Sequence, residues 1–173
     1  MKTQTITKIA ILTTIFAVAC SIVIPFGLVP ISLSTMFLCI LSTILRPKEI
    51  VISIGLYLFL GLIGVPVFAG FQAGFGVLAG PTGGYLIGYI LAGFIMSLIN
   101  HQTKKKYLWF LSFMVGTIIL YCFGTVHFMF VMNLSFMESI VITVYQFVVG
   151  DILESILAFI ISLFINKIFT NHQ

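Results

Sequence analysis

The eight Lys and Arg residues of this chain are Lys2, Lys8, Arg46, Lys48, Lys104, Lys105, Lys106 and Lys167. They fall at both ends of an otherwise apolar sequence and in every second gap between its hydrophobic runs, and the intervening gaps hold none. Basic residues are retained on the cytoplasmic face of a membrane, so this alternation sets topology before any motif is read. Six spans, with both termini cytoplasmic, is the simple count that places all of them on one side. The expected fold class is an all-α integral membrane protein, a bundle of six transmembrane helices.

Composition agrees with that reading. The 173 residues are 61% hydrophobic and 7% charged, with a mean hydropathy of +1.26, far above an ordinary soluble domain. At about 20 residues per span, six helices and short loops use nearly the whole chain as one membrane domain, residues 1–173. No G-x-x-x-x-G-K-[ST] sequence is present, so the chain is expected to carry no ATPase motif of its own. The net charge of +4 belongs to loops facing anionic lipid, which argues against nucleic acid as a partner. Cys20, Cys39 and Cys122 lack metal-ligand spacing and read as small buried hydrophobes, with no cofactor or metal expected. The apolar run after Lys8 could be mistaken for a signal peptide, but the six-span count needs this helix and it is read as a retained first span.

The spans are expected at roughly 6–24, 31–45, 50–65, 81–99, 108–128 and 148–167, the first ending at Pro25-Phe26-Gly27 with Pro30 behind it. An uncharged segment from Pro66 to Gly80 connects the third and fourth. The apolar stretch from Ser139 to Phe169 is too long for one untilted span, so a partly interfacial piece up to Phe147 is expected before the last helix. The small residues Gly80, Gly84, Gly88 and Ala92 form a stripe at every fourth position, which permits close approach of helices. Ala10, Thr14, Ala17 and Ser21 make a similar stripe in the first span, suited either to the bundle interior or to docking another membrane protein.

Two places carry chemistry. Of the four acidic residues, Asp151 and Glu154 lie within an apolar run at i, i+3, on one helix face. Charges at membrane depth are costly and mark functional sites. Either they are protonated and bonded within the protein, or they open on a polar pocket and accept hydrogen bonds from a ligand's N–H groups. The second place is Gly80-Pro81-Thr82-Gly83-Gly84-Tyr85. Proline suits the first turn of a helix, and the glycines leave its N–H groups open to an anion such as a carboxylate. Phe68, Phe71, Phe75, Tyr85 and Gln72 surround this segment, as an interfacial belt or as pocket walls. His127 reads as a satisfied interfacial histidine.

The run Tyr57-Leu58-Phe59-Leu60-Gly61-Leu62-Ile63-Gly64-Val65-Pro66-Val67-Phe68, followed by Gly80-Pro81-Thr82-Gly83-Gly84-Tyr85-Leu86, resembles the signature of the BioY family. These are the biotin-binding membrane subunits, or S components, of energy-coupling-factor (ECF) transporters. The likeness continues at Val29-Pro30-Ile31-Ser32-Leu33 and Phe147-Val148-Val149-Gly150-Asp151, and so covers nearly the whole chain in order. This chain departs from the family in three places. Ser32 and Ser34 stand where V-P-[IV]-T-[LM]-Q is common. Glu154 stands where Lys is usual three positions after the Asp. Ala10 to Thr14 replaces A-x-x-x-A.

The resemblance implies a six-helix bundle that captures biotin from outside and hands it inward. Its partners would be a transmembrane coupling subunit and two cytoplasmic ATPase subunits, within a prokaryotic plasma membrane. Asp151 and Glu154 would meet the ureido N–H groups, and Thr82 and Gly83 the valerate carboxylate. Phe71 and Tyr85 would pack on the chain, with Gln72 and Ser34 beside the site and Ala10, Thr14 and Ala17 as the docking face. Ser34 and Glu154 keep a lipoate-like or pimelate-like substrate open. An intramembrane enzyme using Asp151 and Glu154 is the remote alternative, since an aspartyl protease needs two aspartates and this chain has one.

Overall fold

A computed structural model describes residues 3–24, 31–103 and 105–170. Pro25-Phe26-Gly27, Val29, Pro30, Lys2 and Lys104 lie outside the described residues. In chain order the helices are α1 (Thr3–Ser21), α2 (Ser34–Ile44), α3 (Pro47–Leu62), α4 (Phe75–Ala79), α5 (Gly83–Gln102), α6 (Tyr107–Met132), α7 (Phe136–Ile140) and α8 (Val148–Thr170). Between α1 and α2 the strands β1 (Val23–Ile24) and β2 (Ile31–Ser32) pair antiparallel, Val23 opposite Ser32 and Ile24 opposite Ile31. A turn of π-helix, Val141–Tyr145, joins α7 to α8. Among the described residues, α1, α5, α6 and the continuous stretch Phe136–Ile168 are long and apolar enough to cross a membrane.

Several boundaries differ from expectation, each for a local reason. The first helix stops at Ser21 and the second starts at Ser34 rather than Ile31, because Val23–Ile24 and Ile31–Ser32 are held in the ribbon. The third starts three residues early, at Pro47, where proline fits the first helical turn and the Glu49 carboxylate accepts the Arg46 N–H at 3.1 Å. It ends at Leu62 instead of Val65, since Gly64 has φ 106°, outside the right-handed helical region. The helix expected over 81–99 starts at Gly83 and runs to Gln102, after the Gly83 N–H closes a turn on the Gly80 carbonyl. The next runs on to Met132 before Asn133, at φ 52°, turns the chain. The segment expected to be a plain connection, Pro66 to Gly80, contains a tight turn at Ala69–Phe71 and the short α4.

The core lies between α1, α2, α3, α5 and α6, around Phe16, Leu38, Ile54, Tyr57, Met96 and Phe113. α5 packs most extensively on α6, and the expected small-residue stripe explains how. A side chain at Gly84 would overlap the Phe123 carbonyl and His127 of α6, and one at Gly88 would press on Phe123 and Leu120. Ala17 of α1, expected on a docking face, is 6% exposed and belongs to the core, whereas Ala10 and Thr14 face outward. The 3.6-residue repeat keeps positions 10, 14 and 17 on one face, so the split comes from which neighbours cover α1 along its length, not from its period.

Candidate functional site: a tyrosine-lined pocket around Asp151

α8 begins after the π-turn, so Asp151 falls in its first turn, with its N–H bonded to the Phe147 carbonyl at 2.8 Å. A carboxylate there needs partners from other helices. Tyr121 of α6 donates its hydroxyl to Oδ2 of Asp151, and the Thr35 hydroxyl of α2 approaches the same carboxylate. Glu154, one turn further on, goes elsewhere. Its Oε2 accepts the backbone N–H of Met36 at 3.0 Å. The residue before α2 is Leu33, which has no side-chain oxygen to cap the helix. Glu154 supplies that cap from another helix, placing a carboxyl oxygen at the positive end of the α2 dipole.

Tyrosines hold the rest of the site in place. Tyr89 donates to Ser34 Oγ at 2.7 Å, and Ser34 shares a 2.7 Å hydrogen bond with Ser32. Tyr85 passes across α6, where a side chain at Gly124 would overlap its ring, and donates to the Thr143 carbonyl at 2.8 Å. That carbonyl lies in the π-turn, and π-turns recur at functional sites because they change the hydrogen-bond ladder. Phe16 packs edge-on to Tyr57 and Tyr89, and Phe68 edge-on to Tyr57.

Together these groups line one pocket. Its wall draws Cys20 from α1, Ser32 from β2, Ser34 and Thr35 from the start of α2, and Tyr57 from α3. Phe68, Ala69, Val77 and Thr82 come from the connecting segment, and Tyr85, Leu86 and Tyr89 from α5. Thr117, Leu120 and Tyr121 come from α6, with Phe147 and Asp151 closing the circuit. Four of the expected residues, Ser34, Thr82, Tyr85 and Asp151, are in that wall.

Four others are placed differently. Glu154 caps α2. Phe71 is 65% exposed and Gln72 is exposed, its carbonyl accepting the Phe68 N–H at 3.0 Å. That bridge turns Phe68, rather than Phe71, inward, where it is fully buried. The Gly83 N–H, expected to face an anion, is used on the Gly80 carbonyl at 3.0 Å. A side chain at Gly83 would overlap the Leu78 carbonyl, so the residue is small for packing. His127 Nε2 meets the Gly80 carbonyl at 3.0 Å and steadies the same turn.

Sequence reasoning missed Tyr57, Tyr89, Tyr121, Thr35 and Thr117, and took Cys20 for a plain core residue. A signal existed for the tyrosines. A phenol at membrane depth must find a partner, and Tyr85 and Tyr89 stand at i, i+4 on one face. Chemically, the wall offers one carboxylate and several hydroxyls set among aromatic rings. It can accept hydrogen bonds from a ligand's N–H groups while packing on an apolar skeleton. Among the described residues no cluster of His, Cys, Asp and Glu is arranged to hold a metal ion.

The fold and pocket define a multi-pass membrane protein built around one polar cavity. The BioY family model matches residues 1–171, and the chain belongs to the BioY family. It is 35% identical to "Biotin transporter BioY2" of Lactococcus lactis subsp. cremoris, over 98% of both chains. It is 34% identical to "Biotin transporter BioY" of Thermotoga maritima, over 93% of this chain and 95% of the relative. Among solved structures it resembles the crystal structure of the S-component for biotin from an ECF-type ABC transporter. The TM-score is 0.87 at 28% identity, covering 96% of this chain and 92% of that one.

Proposed function

We propose that this chain is the membrane-embedded, substrate-binding subunit for biotin uptake in an ECF-type, ATP-driven transporter. It captures the vitamin from the outer side of a prokaryotic plasma membrane and does no ATP chemistry itself. The observation that carries this reading is the half-buried carboxylate of Asp151. It is held by Tyr121 inside a pocket with aromatic walls, in a chain whose relatives are named biotin transporters. A ureido group has two N–H donors on a compact ring, and a fixed carboxylate is their natural acceptor. Asp151 takes those N–H groups, Ser34 and Thr82 border the ring and the chain, and Tyr85 packs along the side.

Six helices span the bilayer in this reading, with both termini cytoplasmic and the ribbon, α4 and α7 on the outer side. At about 1.5 Å per residue, the 11-residue α2 is near 16 Å long and cannot cross alone. Its first turn therefore ends inside the membrane, beside Asp151. The exposed face of α1 with Ala10 and Thr14 docks a transmembrane coupling subunit, which works with two cytoplasmic ATPase subunits.

Titration calorimetry of the detergent-purified chain with biotin tests the proposal, with lipoate and desthiobiotin as controls. Tight biotin binding that exceeds lipoate binding is the expected result. A folded sample that prefers lipoate, or ignores biotin, contradicts it.

A further inference from the structure

We propose that this pocket reads the neutral ring end of its ligand and leaves the carboxyl end unread, so that biotin derivatives amidated at the side-chain carboxyl are also ligands. This rests on the biotin-binding reading above.

Charge is the first ground. Among the described residues the wall holds Asp151 and no Lys, Arg or His. Residues 25–30 and 63–82 contribute no charge by sequence, and the connection 133–147 carries only Glu138. The described basic residues lie toward the far end of the bundle, Arg46 and Lys48 where α2 gives way to α3, Lys105 and Lys106 between α5 and α6, and Lys167 late in α8. Lys8, for example, bonds Glu49 at 2.9 Å and the Ile44 carbonyl at 3.1 Å, the opposite end of α2 from Ser34. Among the described residues no cation lines the pocket to meet a carboxylate, and Asp151 repels one, with Glu154 a single turn away. Repulsion of that kind is strong where water is excluded.

The donors are the second ground. The hydroxyl of Tyr121 is used on Asp151, that of Tyr85 on the Thr143 carbonyl and that of Tyr89 on Ser34. The N–H of Gly83 is used within its own turn. His127 meets the Gly80 carbonyl, so its Nε2 carries the proton and points away from an incoming anion. A ligand that places its ring against Asp151 therefore directs its carboxyl end past Thr82 toward water. There, replacing a carboxylate by an amide removes no charge-assisted contact with the protein.

Titration of the full chain in detergent with biotin, biotinamide and biocytin tests this. The expected dissociation constants for both amides lie within about 5-fold of that for biotin, the spread left when no charge-assisted bond is lost. Biotin binding with both amides weaker by about 30-fold or more, the loss of such a bond, overturns the inference and leaves the biotin reading intact. A folded sample that binds none of the three overturns the biotin reading, and this inference with it.

Discussion

Two of the polar regions inside the bundle are built on opposite terms. At the basic end, Asn100 of α5 donates to Ser42 of α2 at 2.9 Å and accepts from Ser112 of α6 at 2.5 Å. The Asn100 carbonyl takes the Trp109 indole N–H at 3.3 Å, and Ser97 donates to the Leu45 carbonyl at 2.6 Å. Each group finds a partner within the protein, and none of them lines the pocket around Asp151. At the other end, Asp151 and the tyrosine hydroxyls are partnered too, but they frame a space. In lipid an unpaired polar group is costly everywhere, so pairing does not separate structure from site. The cavity does. The same chemistry makes a clasp where helices close on it and a binding site where they stay apart.

Substitutions sharpen this contrast. The largest effect is expected at Asp151→Asn, which keeps the shape and removes the charge. Biotin affinity should fall by about 10–100-fold, the worth of a hydrogen bond to a charged group, with the thermal midpoint of the ligand-free protein nearly unchanged. An Asp151→Asn sample that melts much earlier and still binds biotin would make this residue part of the clasp.

Asn100→Leu should do the reverse. It removes the side-chain partner of Ser42 and Ser112, leaves the backbone carbonyl that takes the Trp109 indole, and should lower stability by about 1–3 kcal/mol, read as a thermal shift, while affinity stays put. Loss of affinity without loss of stability would dissolve the distinction.

Tyr121→Phe removes one donor from Asp151, and a few-fold weaker biotin binding is expected, about 0.5–1.5 kcal/mol. Glu154 sits between the two regions in kind. Glu154→Gln keeps an oxygen for the Met36 N–H and should bind biotin nearly as well as the parent, whereas Glu154→Leu should weaken binding by loosening the start of α2. Equal loss in both variants would mean that the charge itself serves the ligand.

The smallest effect belongs to the ion pair of Lys8 with Glu49 at 2.9 Å. Burial pushes the Glu49 pKa up, but the Lys8 ammonium, the Arg46 N–H and the nearby positive charges outweigh it and leave the pKa below its usual 4.5. A lowered carboxylate stabilises the fold above its unfolded-state value and loses that contribution as pH falls through the folded one. The pair should therefore add less than about 1 kcal/mol near neutrality, fading below pH 4.5. Acid melts of Glu49→Gln and the parent should converge there.

Much of this was legible in the sequence because it follows from period and charge. The Gly84, Gly88 and Ala92 stripe marks where α5 meets α6, and Asp151 stands out as a charge in an apolar run. The end of α2 was not legible. Nothing local says that Ile31 and Ser32 pair with Val23 and Ile24, or that Leu33 leaves a helix start to be capped by Glu154, 118 residues away from Met36. Phe68 and Phe71 look alike in sequence, and the left-handed φ values at Gly70 and Phe71 decide which turns inward. Ala17 shared a small-residue stripe with Ala10 and Thr14, but burial depends on which neighbours α1 meets. These are long-range facts, and periodicity carries only the local ones.

The central claim is that Asp151 and its tyrosine-lined pocket hold the ring end of biotin. A structure of the chain with biotin bound tests it most directly. The account predicts the ureido N–H groups against the Asp151 carboxylate, with the valerate pointing out of the pocket. A valerate carboxylate resting on Asp151, or biotin bound away from this pocket, would contradict it.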